Sequence, residues 1–168
     1  MSFHAIAQQC VEYSRAKGFL PTTMDTAPIR LYCIQREISE LRDEIRKGSV
    51  QGQSLESADV CIYALVMMHD LGNTNWTVRG RMHLGPPAMC GADEMVAPLR
   101  EYVDCAFEHW RVGRAPDVCL ALNMLIAQLV DVRTRCLRLP NVMQADCQYK
   151  LAIMQARPAC HGNKDPRS

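Results

Sequence analysis

Arg36-Glu37-Ile38-Ser39-Glu40-Leu41-Arg42-Asp43-Glu44-Ile45-Arg46-Lys47 is the stretch on which the fold turns. At about 100° per residue, Ile34, Ile38, Leu41 and Ile45 form one stripe, and Glu40 and Glu44 fall about 60° and 20° from Glu37 on another. The acidic edge is centred about 100° from the apolar stripe, so it borders the buried face instead of opposing it. Gly48 ends this helix, and Pro28, acceptable at a first helical position, opens it.

Working outward, the same periodicity predicts five more helices. The first covers about Phe3 to Lys17 and stops at Gly18. After a polar link, Ser49 to Ser54, the third runs from about Leu55 to Leu71 and stops at Gly72. Gly, Asn and Pro make Asn73 to Pro87 a loop. The fourth covers about Asp93 to Val112, and the fifth about Pro116 to Leu139, closed by Pro140. Asn141 can cap the sixth, about Val142 to Ala156. No segment alternates apolar and polar residues, so the fold class is all-α, a helical bundle in one domain over residues 1–168. Ala58-Asp59-Val60-Cys61-Ile62 is echoed by Pro116-Asp117-Val118-Cys119-Leu120. This echo is what a degenerate second copy of the first helical hairpin would leave in residues 73–145.

Composition narrows the function classes. With 19 basic and 18 acidic residues and a formal charge of +1, the chain lacks the basic excess of a broad nucleic-acid or membrane binder. The uncharged stretches Val60 to Met68 and Val118 to Val130 are too short to span a bilayer and read as buried helix. The N-terminal residues lack the apolar core of a signal peptide, and nine cysteines without a CxxC read as buried thiols of a reducing, cytoplasmic protein.

The third helix opens with a second acidic pair, Glu56-Ser57-Ala58-Asp59, ahead of the apolar run Val60-Cys61-Ile62-Tyr63-Ala64-Leu65. Two i,i+3 acidic pairs on adjacent antiparallel helices can converge into a four-carboxylate cluster. Each pair of like charges about 4 Å apart costs on the order of 4 kcal/mol at an effective dielectric of about 20, a conflict that a divalent cation removes. Hard oxygen ligands select Mg2+, with Mn2+ as a substitute. The same acids also fit a solvated helix face laced with the pairs Arg36–Glu40 and Asp43–Lys47.

Glu37-x-x-Glu40, fifteen intervening residues and then Glu56-x-x-Asp59 leading into an apolar helix resembles the signature of the MazG-like all-α nucleoside triphosphate pyrophosphohydrolases, relatives of the dimeric dUTPases. The closing segment, with Lys150, Met154, Arg157-Pro158 and His161-Gly162-Asn163-Lys164, is similar to that family's last helix and tail. Residues 73–145 are more than that family's minimal chain needs, so the resemblance implies an inserted helical hairpin there or the degenerate second copy, and two positions depart from the pattern. Arg36 stands where the family often has an acid, and Met154 where it has an Asn.

The resemblance implies a hydrolase that cleaves a nucleoside triphosphate between the α and β phosphates, releasing monophosphate and pyrophosphate in nucleotide-pool housecleaning. It implies Glu37, Glu40, Glu56 and Asp59 as metal ligands, with one of them or Glu44 orienting the attacking water. Lys150, Arg157 and Lys164 would face the phosphates, in a segment where Asp165 is the only acid. A homo-oligomer, dimer or tetramer, is expected, with no nucleic-acid or membrane partner. Phe3, His4, Tyr63 and Trp76 are candidates for stacking on the base, while His69 and His109 read as bundle histidines. The alternative function is a non-catalytic helical interaction or regulatory protein with a decayed metal site.

Overall fold

A computed structural model describes residues 3–73, 90–139 and 142–156. These form an all-α bundle of six helices: α1 (Phe3–Ala16), α2 (Ala27–Lys47), α3 (Val50–Asp70), α4 (Ala92–Arg111), α5 (Ala115–Asp131) and α6 (Met143–Ala156). No strand occurs among the described residues.

The decisive stretch folds as its period requires. Ile34, Ile38 and Leu41 are fully buried, and Ile45 packs on the edge of the core. Gly48 ends α2 at φ 67°, a conformation that costs an L side chain about 1 kcal/mol. The expected polar link shrinks to one turn. Ser49 accepts a hydrogen bond from the Gly52 amide at 3.1 Å, and this cap starts α3 five residues earlier than its apolar pattern does.

The fifth helix differs from expectation at its end. Its α-helical part stops at Asp131, and Val132–Cys136 continue as a π-helical turn. The run Ala115–Cys136 is long and apolar enough to cross a membrane by length and composition, and 61% of its most apolar window is buried inside the bundle. Val118, Leu122, Leu125, Ile126 and Leu129 are all fully buried, so the segment serves as a central core helix. Asn141, the expected cap of α6, lies outside the described residues.

The helices assemble as two hairpins. α2 packs on α3 and α4 on α5, and the hairpins join through α2 with α4 and α3 with α5. α1 and α6 lie against each other and against α3. The core is continuous through all six helices, so α4 and α5 belong to the same hydrophobic body as the acidic helices.

Candidate functional site

Four elements, α1, α2, α3 and α6, enclose a cavity of about 430 Å3 with the residues 17–20 turn at its rim. That volume lies within the range of small-molecule sites. Its α2 wall carries Arg30, Arg36, Glu37 and Glu40, and its α3 wall Glu56, Asp59, Ile62, Tyr63 and Val66. No residue of α4 or α5 lines it, so the second hairpin packs on α2 and α3 without covering the opening with any described residue.

Because Glu37 sits beside Ile34, Ile38 and Leu41, packing of the apolar stripe carries it inward, and it is 4% exposed. Glu56 and Asp59, one helical turn apart, meet it from α3. One carboxylate oxygen from each of Glu37, Glu56 and Asp59 lies within 4.8 Å of the others. Burial, reinforced by these like charges, pushes the Glu56 carboxyl up to about 6. Glu37 is also raised, chiefly by burial, against a 2.6 Å hydrogen bond donated by Arg36.

The other two predicted acids are placed differently. Glu40 lines the cavity but stays outside the three-carboxylate group, about half exposed, with the Arg36 guanidinium 3.4 Å away. Glu44 does not reach the cavity. It lies over the α2–α3 turn, 2.6 Å from Lys47, which with Ser49 lowers its carboxyl below the ordinary value. A Cβ on Gly52 would meet the Glu44 Oε2 at 2.0 Å, so this seat depends on a glycine in the first turn of α3. The predicted pair Arg36–Glu40 forms, whereas Asp43 pairs with Arg42 and Arg46 instead of Lys47.

Among the predicted cations, Lys150 projects from α6 into the cavity and pairs with Asp59, both side chains being 14% exposed. Met154, one turn on, also lines the cavity, and its carbonyl accepts a 2.8 Å hydrogen bond from the Tyr13 hydroxyl, which ties α6 to α1. Arg157 and Lys164 lie outside the described residues, as does Trp76. Tyr63 is on the cavity wall, whereas Phe3 packs on the core.

Three oxygen donors from two rigid helices suit a hard divalent cation. Among the described residues Glu56 Oε2 is buried without a hydrogen-bond partner, which leaves it open to a ligand. Glu37, Glu56 and Asp59 therefore fit a metal, and Glu40 fits an adjoining role.

Sequence reasoning missed Arg30. It sits two helical turns before Glu37 and lines the same cavity, with its guanidinium 5.9 Å from the Phe19 ring centre and 6.0 Å from that of Tyr63. The signal was present, since a seven-residue spacing returns to the same helix face. No family model, curated protein or solved structure matches the chain.

Proposed function

We propose that this protein is a Mg2+-dependent nucleoside triphosphate pyrophosphohydrolase. The observation that carries the reading is the convergence of Glu37, Glu56 and Asp59 at one end of a cavity of ligand size, with one Glu56 oxygen buried and unpartnered among the described residues. The likeness of the acidic spacing to the MazG-like enzymes adds to it.

Glu37, Glu56 and Asp59 would hold the cation, which when bound neutralises phosphate charge and activates water. Lys150, alongside Asp59, would bind phosphate oxygens. Water attacks the α-phosphorus, the bond from that phosphorus to the αβ-bridging oxygen breaks, and pyrophosphate leaves. The water proton passes to a cavity carboxylate. Glu40 is the acid on the wall outside the three-carboxylate group, and we assign it this role as general base.

The test is pyrophosphate release over a panel of canonical and modified nucleoside triphosphates with Mg2+. Turnover is expected on at least one of them, with a loss of about a hundredfold or more in Glu40→Gln and in Glu56→Gln. One observation favours a second reading, a non-catalytic helical protein: Lys150 already neutralises Asp59 as an internal counter-ion. Absence of turnover on every nucleotide by the folded protein, together with no Mg2+ binding, would establish that reading in place of the first.

A further inference from the structure

The cavity has two chemically distinct ends. α2 and α3 run antiparallel, so moving from Glu37 back towards Arg30 on α2 corresponds to moving from Asp59 forward to Tyr63 and Val66 on α3. The acidic end holds Glu37, Glu40, Glu56, Asp59 and Lys150, whereas the other holds Arg30 with Phe19, Tyr63 and Val66. Arg30 is about 10 Å along α2 from Glu37, at 1.5 Å rise per residue.

Arg30 is flanked by aromatic faces, which attract a guanidinium but accept none of its hydrogen bonds in the ordinary sense. Its guanidinium makes no ion pair or hydrogen bond among the described residues. Its planar fork of donors is thus held at a cavity wall without an acceptor. A fork of that shape is matched by two adjacent in-plane acceptors.

We propose that Arg30 reads the base of the nucleotide, selecting one whose edge offers two adjacent acceptors; this rests on the triphosphate reading of the acidic end. A phosphate whose α-phosphorus lies at the carboxylates is already met there by Lys150. The ligand part that reaches two helical turns further, into a wall of Phe19, Tyr63 and Val66, is a flat ring. Guanine and other 6-oxopurines present O6 and N7 as such an edge, and cytosine presents O2 and N3. Adenine places an amino donor beside N7, and uracil and thymine place an N–H between their carbonyls. These bases leave one arm of the fork opposed by a donor.

The experiment is calorimetric titration, in Mg2+, with GMP, CMP, AMP and UMP, run on the wild type, Arg30→Gln and Arg30→Lys. A parallel measurement follows pyrophosphate release from the four triphosphates. GMP, CMP or both are expected to bind the wild type about tenfold or more tightly than AMP and UMP. The comparison of GMP with CMP identifies which two-acceptor edge is read. That ratio collapses towards one in Arg30→Gln, and Arg30→Lys does not restore it, because an ammonium lacks the fork. Equal binding of all four by the wild type, binding of none, or selectivity retained in Arg30→Gln overturns the proposal. So does a uniform loss across bases that Arg30→Lys rescues, which would make Arg30 a phosphate ligand. Turnover of all four triphosphates at equal rates removes the role of Arg30 and leaves the hydrolase standing. Selective binding without pyrophosphate release does the reverse.

Discussion

Glu56 concentrates the chemistry of the site in one side chain: an oxygen without a hydrogen-bond partner among the described residues, a carboxyl raised to about 6, and two acidic neighbours. In the unfolded chain this group ionises near its ordinary 4.5, so at intermediate pH the folded protein keeps a proton that the unfolded chain has lost. Its contribution to folding is therefore fully present below about 4.5 and is lost as pH rises through 6. Metal-free wild type is expected to lose more melting temperature than Glu56→Gln between pH 5 and pH 8, on the order of a few degrees, in parallel thermal scans; identical slopes would remove the buried-carboxylate account. At pH 8 the order reverses with metal. A cation that binds only the folded state adds about 2.7 kcal/mol at a hundred times its Kd. Saturating Mg2+ should raise the melting temperature of the wild type and leave that of Glu56→Gln unchanged.

At the scale of elements, α6 holds Lys150 in the cavity, and a buried arginine holds α6. The Arg133 side chain is 1% exposed in the π-helical turn, pairs with Asp146 one turn before Lys150, and reaches the Ser54 carbonyl and hydroxyl at 3.4 Å. Ser54 in turn donates a 2.8 Å hydrogen bond to Asp146. This knot joins the start of α3, the π-helical turn that follows α5 and the start of α6. Removing one member of a buried pair leaves an uncompensated charge, so Asp146→Ala is expected to cost about 3 kcal/mol in urea unfolding. Arg133→Met, which removes the buried charge itself, should cost less. Equal and small effects would show that the pair does not anchor α6.

For the molecule as a whole, the shared core explains the cysteines. All eight described cysteines are free thiols, and Cys10, Cys61, Cys119, Cys136 and Cys147 are buried among the helices. Burial pushes Cys10 up to about 12 and Cys119 to about 11, which suppresses the nucleophilic thiolate. Under native conditions a thiol reagent followed by peptide mapping should, of these eight, modify exposed Cys105 first, then Cys33 and Cys90, and reach the five buried thiols only on unfolding. Fast labelling of Cys61 or Cys147 in the native state would contradict the packing described.

Six helices, their glycine stops and the apolar stripe of α2 were legible in the residues, because a helix period is a local property set by 3.6 residues per turn. The acids were legible as edges for the same reason. Their fates were not, because convergence depends on how helices cross and on register between them. Glu37, Glu56 and Asp59 meet, whereas Glu40 stays on the rim and Glu44 turns to Lys47 and Ser49. The cap at Ser49 and the π-helical turn after Asp131 were hidden as well, the first by a polar sequence that reads as loop, the second because Pro140 is the first helix breaker after it and a π turn carries no mark of its own in the residue pattern. By itself, then, the sequence determined the helices and the face on which each acid lies. Only the tertiary structure decided which acids share a site, that Lys150 stands beside Asp59, and that Arg30 lines the same cavity, because those relations come from packing between side chains distant in the chain.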